Sequence, residues 1–225
     1  MTRVRVYVDG FNFHYAIKAG GLLGLGWCDF RKLAERYLVG GDGEIDVIKY
    51  FTAHVRRYEN RAGEERRQQT WLEAVKTIRG LEVIRGFHQQ YGSKAREEKQ
   101  TDINIAVELL VDAIDGACDR AILITGDIDQ APAVRAARER LPIGRRVEVD
   151  VWVPPGMSYE RWRAEAKELG MVCREITPEM LAASRLADRI VTASGREVRC
   201  LEEWKMPTGL AGLRWRSLET DPDAS

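Results

Sequence analysis

The sequence predicts an α/β protein with a mostly parallel central sheet and helices on both faces. Short apolar runs of strand length recur along the first three quarters of the chain, segments of helical periodicity separate them, and glycine, proline or aspartate marks the junctions. With 225 residues, 44% of them hydrophobic, the chain can bury one such core and carry a small appendage, but it is too short for a second catalytic domain.

Arg3 to Val8 alternates, with Val4, Val6 and Val8 on one face, and stops at Asp9-Gly10. A helix is expected from Phe11 to Lys18, closed by Gly20-Gly21. Another is expected from Asp29, its N-cap, to Leu38. The run 45–53 reads as a buried strand, 64–79 as a charged helix and Leu81 to Arg85 as a short strand. Residues 86–98 are polar and basic and read as an irregular loop, with a helix beginning at Thr101 and ending at Ile114. A strand from Ala121 to Thr125, a helix from Asp129 to Arg140, a strand from Val147 to Val153, a helix from Tyr159 to Leu169, a strand from Met171 to Arg174 and a brief helix after Pro178 complete the alternation. The expected division is a domain over 1–185 and an appendage over 186–225, the latter with a β-hairpin around Ser194-Gly195 and a tail carrying Trp204 and Trp215.

Formal charge is zero, 35 basic against 35 acidic side chains, so no global field draws the chain to a polyanion or a membrane. No apolar run approaches the ~18 residues of a membrane span, and no leader precedes the first strand, so a cytoplasmic protein is expected. The four cysteines, Cys28, Cys118, Cys173 and Cys200, lie far apart, which argues against a zinc ribbon or a redox dithiol and for buried thiols. His14, His54 and His88 are dispersed. No Gly-x-Ser-x-Gly elbow, dinucleotide fingerprint or P-loop follows any strand, and Asp9-Gly10-Phe11 lacks the second aspartate of an aspartyl phosphatase.

Acids remain. In open parallel sheets ligands bind outside the C-terminal ends of the strands, and two strands deliver acid there: one leads to Asp9, another to Asp127 with Asp129 close behind. Asp102 stands at the expected start of a helix. Each alone is an ordinary cap or turn aspartate. Together they form an all-oxygen set of the kind that suits magnesium or manganese. Between Thr101 and Asp129 seven acids stand against Arg120 alone, whereas between Val55 and Gln100 eleven bases stand against seven acids. That asymmetry fits a metal-dependent enzyme acting on a polyanion, although most arginines of 64–79 are better explained as a solvated, salt-bridged helix face. Asp112, ten residues after Asp102, falls about three turns away and off the same face, and reads as a remote acid or a structural partner.

Three spaced motifs carry a resemblance: Val-Tyr-Val-Asp9-Gly-Phe-Asn12, Glu-Glu-Lys99-Gln-Thr-Asp102 at the head of an apolar helix, and Ile-Thr125-Gly126-Asp127-Ile-Asp129. They resemble the NYN domain of the PIN-like ribonuclease superfamily, in its LabA-like bacterial branch. The resemblance implies a three-layer α/β/α sandwich and Mg²⁺- or Mn²⁺-dependent endonucleolytic cleavage of RNA. It implies Asp9, Asp102 and Asp127 as metal ligands, Asp129 as a fourth acid, Asn12 near metal or phosphate, and Lys99 as a cation beside the acids. Lys94, Arg96, Lys99, Asn12 and Thr125 are the expected substrate contacts. The alternatives are an RNA-binding regulatory module with negligible turnover and a structure-specific DNA nuclease; a homodimer is compatible with the sequence.

Overall fold

The computed structural model describes residues 1–41, 43–53, 62–86 and 94–205, the side chains of 62 and 94–100 excepted. A six-stranded sheet forms the middle layer: β1 (Thr2–Asp9), β2 (Gly43–Thr52), β3 (Leu81–Arg85), β4 (Arg120–Ile124), β5 (Glu148–Val153) and β6 (Cys173–Glu175). Its order is β3-β2-β1-β4-β5-β6 and every pairing is parallel, so the expectation of a mostly parallel sheet is met in full.

Alternation along β1 decides which residues meet which helices. Val4, Val6 and Val8 face one layer, formed by α1 (Gly10–Ala19), α2 (Phe30–Leu33), α3 (Ala62–Val75) and α7 (Pro178–Ala183), through Phe13, Ile17, Phe30, Leu33, Leu72, Val75 and Leu181. Tyr7 faces the other, where α4 (Lys94–Ile114), α5 (Ala131–Arg135), the turn after it and α6 (Glu160–Leu169) bring Ile105, Leu109, Val134, Ala137 and Trp162. Two apolar cores therefore sandwich one sheet, and strands buried on both faces explain their near-continuous apolar sequence.

Caps confirm several expected boundaries. Asp29 accepts from the backbone N–H groups of Arg31 and Lys32, and Gly170 ends α6 with φ +59°. The helix from Asp29 passes into a π turn over Ala34–Leu38, and the one expected from Asp129 is a 3₁₀ turn at Ile128–Gln130, α5, and a π turn at Ala136–Arg140. A larger difference concerns α4, which begins at Lys94 rather than Thr101. Lys94 to Gln100 is polar, and polarity suggested a loop; but Lys, Ala, Arg, Glu and Gln are all strong helix formers, so propensity carries the helix beyond its apolar face.

Beyond β6 the hairpin is present as β7 (Arg189–Val191) and β8 (Glu197–Arg199), with Gly195 at φ +81° in the turn. It forms a sheet of its own and lies on α3 instead of covering an edge of the main sheet. Arg196 pairs with Glu73 at 2.7 Å, and Trp27, Ala74, Val198, Cys200 and Trp204 make a third apolar cluster. Trp204 is 7% exposed and stacks on Trp27 at 5.5 Å, so it packs as an apolar anchor; Trp215 lies outside the described residues. All four cysteines are free thiols, with Cys28, Cys118 and Cys200 buried. Among the described residues no helix is long and apolar enough to cross a membrane.

Candidate active site

The order of the sheet places β1 beside β4, the point from which strands are added in opposite directions. Val8 pairs with Ile124, so the next residues, Asp9 and Thr125, stand side by side at the C-terminal edge. Asp9 is 3% exposed. One of its oxygens accepts from the backbone N–H of Asn12 at 3.0 Å, capping α1, and the other accepts from the Thr125 hydroxyl at 3.1 Å. Thr125 Oγ1 in turn accepts from the N–H of Asp127 at 3.0 Å. One buried hydroxyl thus ties the carboxylate of β1 to the turn after β4. The Asn12 side-chain oxygen accepts from the Gly126 N–H at 2.6 Å and fastens the same two segments from the other side.

This close approach depends on Gly10. A Cβ there would lie 2.5 Å from the Tyr50 ring and 2.6 Å from the Phe51 carbonyl, so α1 can start directly against β2 only without a side chain at that position.

The electrostatics follow from burial. Loss of water pushes the Asp9 carboxyl up to about 6, and the neighbouring charges of Asp102 and Asp127 push in the same direction, while the bonds from Asn12 and Thr125 hold it down. Three of the expected acids therefore lie within electrostatic reach of one another. Asp127 also caps the 3₁₀ turn, accepting from the Asp129 N–H at 3.0 Å; the Asp129 carboxylate is exposed and is not among the charges acting on Asp9. Asp102 is partly buried and sits two turns inside α4, not at a helix start, and its carbonyl accepts from the Gln130 side chain at 3.2 Å.

Thr125, expected at the substrate, has no exposed surface and acts beneath the site. Lys94, Arg96 and Lys99 belong to the first two turns of α4, with side chains outside the described residues. Asp112 is structural: it accepts from Tyr7 Oη at 2.5 Å, Arg5 at 2.7 Å and Lys49 at 2.6 Å, and Lys49 also holds Glu108 at 2.6 Å. Burial pushes the Tyr7 phenol far up, which keeps it protonated as a donor. Asp119 pairs with Arg3 at 2.8 Å. Of the seven acids counted between Thr101 and Asp129, three are thus neutralised far from the strand ends.

An all-oxygen set of Asp9, Asp102 and Asp127 fits a hard divalent cation by chemistry, and a buried carboxylate crowded by two others is relieved by one. Among the described residues, however, no three His, Cys, Asp or Glu side chains are already gathered as a metal cage.

Residues 3–174 match the NYN domain family along the stretch that holds all three motifs. The chain belongs to the NYN domain family. A similar protein is the 6-hydroxy-3-succinoylpyridine 3-monooxygenase HspA of Pseudomonas putida (strain DSM 28022 / S16), 29% identical over 176 residues that cover 60% of this chain and 55% of that protein. The chain thus spans little more than half of that relative. No solved structure matches it significantly. The NYN match covers the six-stranded sheet except Thr2 at the start of β1 and Glu175 at the end of β6, and leaves α7 and the hairpin outside. What sequence reasoning missed is the support under the NYN carboxylates: the Thr125 hydroxyl bridge and the Gly10–Tyr50 contact. The inspection of strand ends that singled out Asp9, applied to β2, would have found Tyr50 and Thr52.

Proposed function

We propose that the chain is a Mg²⁺- or Mn²⁺-dependent endoribonuclease that hydrolyses RNA phosphodiester bonds at Asp9, Asp102 and Asp127. The observation that carries this reading is the buried Asp9 carboxylate at the β1–β4 switch point, within electrostatic reach of the other two acids, in a fold of a nuclease-like family. Asp9, Asp102 and Asp127 hold the cation, with Asp129 at the exposed edge as a further acid. When bound, the cation supplies charge that activates water and offsets the charge developing on the phosphoryl oxygens. Thr125 and Asn12 keep Asp9 and Asp127 in register through the 3.1, 3.0 and 2.6 Å bonds, so the acids are aimed before substrate arrives. Lys94, Arg96 and Lys99, the expected phosphate contacts, stand in the first two turns of α4.

The test is cleavage of total RNA with Mg²⁺ or Mn²⁺ against EDTA, by wild type and by Asp9→Asn, Asp102→Asn and Asp127→Asn. Metal-dependent cleavage that each variant abolishes is expected; chelator-insensitive cleavage or full activity in any variant removes the metal or that residue from the reading. A second reading, an RNA-binding module with negligible turnover, is favoured by the absence of a ready-formed cage among the described residues, and RNA retention without cleavage under any metal would select it. The oxidation named for the Pseudomonas relative belongs to a protein nearly half of which has no counterpart in the alignment.

A further inference from the structure

A cavity of about 460 Å³ opens beside the carboxylates, between α1, the end of β2, α3 and the segment Glu203-Trp204. Gly10, the residue bonded to Asp9, is part of its wall. Its size is that of a small-ligand site.

The walls are aromatic. Phe11 and Tyr15 stack on each other at 6.3 Å, and Tyr15, 54% exposed, is among the most exposed large side chains. Trp71 and Trp204 close the opposite side, held at 6.3 Å in an edge-on arrangement. Tyr50 adds a polar function. It is 3% exposed, and its oxygen accepts from Trp71 Nε1 at 2.9 Å; among the described residues nothing accepts its own proton. That buried donor is left for an acceptor atom on an occupant. Lys18 and Arg67 in the lining are balanced by Glu64 and Glu203, and Arg67 pairs with Glu203 at 3.4 Å. The crowded walls and these two cations hold His14 below the ordinary histidine value, which leaves its ring neutral at pH 7.

We infer that this cavity is a subsite for an unpaired nucleobase of the bound strand, the base lying against the aromatic walls and accepting from Tyr50 while the adjoining phosphate faces the carboxylate edge. Flat rings and a single buried donor are what an unstacked base requires, and single-stranded recognition uses such rings. A double-stranded segment does not fit a cavity of this size, so strands with unpaired bases are the substrate class. The inference rests on the phosphodiester-cleaving reading of Asp9, Asp102 and Asp127.

The test is a titration of the full chain in EDTA with 2-aminopurine riboside 5′-monophosphate, read as fluorescence quenching on stacking, with metal-dependent RNA cleavage measured in parallel. Saturable quenching is expected, weakened about tenfold by Phe11→Ala and about fivefold by Tyr50→Phe, with nicotinate failing to displace the nucleotide. Absence of saturable quenching, quenching unaltered by both variants, or nicotinate binding in place of the nucleotide overturns the subsite. Quenching without cleavage under any metal keeps the base site and removes the nuclease; cleavage without quenching does the reverse. Circular dichroism of both variants guards against misfolding, and Phe11, only partly buried, is the safer of the two.

Discussion

Asp9→Asn should stabilise the metal-free protein. At neutral pH the wild-type carboxylate is ionised in a pocket that raises its pKa to about 6, against the ordinary value of 3.8. A shift of about two units corresponds to about 3 kcal/mol of penalty on the charged form. Asparagine keeps the acceptor for the Asn12 N–H but disturbs the bond donated by Thr125, a loss of about 1 kcal/mol. The net gain is about 2 kcal/mol, or roughly 4–8 °C in Tm for a chain of this size. The sign with pH is fixed by linkage. Between pH 4 and 6 the folded state holds a proton that the unfolded state has released, so wild-type stability falls as pH rises through that window, and below it the penalty vanishes. The variant's advantage should therefore be complete above pH 7, shrink as the pH falls, and give way below pH 4 to a deficit of about 1 kcal/mol from the disturbed Thr125 bond. Thermal unfolding in EDTA across pH 4–8 measures it, and added Mg²⁺ or Mn²⁺ should raise the wild-type Tm while leaving the variant unmoved. A variant no more stable than wild type at pH 8, or an advantage that does not shrink with acid, would refute the reasoning.

Three further outcomes are expected. Asp112→Asn removes one charge partner from partly buried Arg5, which keeps Asp46, and from buried Lys49, which keeps Glu108, and should cost about 2 kcal/mol in denaturant unfolding, with cleavage per folded molecule unchanged. Gly10→Ala forces a Cβ to 2.5 Å from the Tyr50 ring and should cost about 2 kcal/mol or more, lowering cleavage as well because Asp9 moves with α1; a neutral result would show that α1 can shift freely. Trp204→Ala empties the stack on Trp27 and should cost about 3 kcal/mol and make the β7–β8 hairpin sensitive to limited proteolysis, without altering the Mg²⁺ dependence of cleavage.

Much of the site was legible in the chain because it uses local signals. Val4, Val6 and Val8 announce a strand, and the residue that ends it is Asp9; Ala121 to Ile124 does the same for Asp127. Alternating strand and helix patterns fix a parallel sheet with two helical layers, since parallel neighbours need a crossover between them. Helix capping by Asp29 and the turn at Gly195 are similarly local, depending on backbone geometry within a few residues.

Tertiary structure decided which acids act together. Nothing in the spacing of residues separated by more than a hundred positions shows that β1 lies against β4, and that pairing alone brings Thr125 to Asp9. Helical spacing set Asp112 about three turns from Asp102, but only the tertiary structure supplies the partners that hold it, Tyr7, Arg5 and Lys49. The polar start of α4 was misread for a related reason: binary pattern reports burial, and a helical turn with little to bury leaves only its propensity. The pKa of Asp9, likewise, belongs to no residue type; it arises because folding withdraws water from one carboxylate and sets two others nearby.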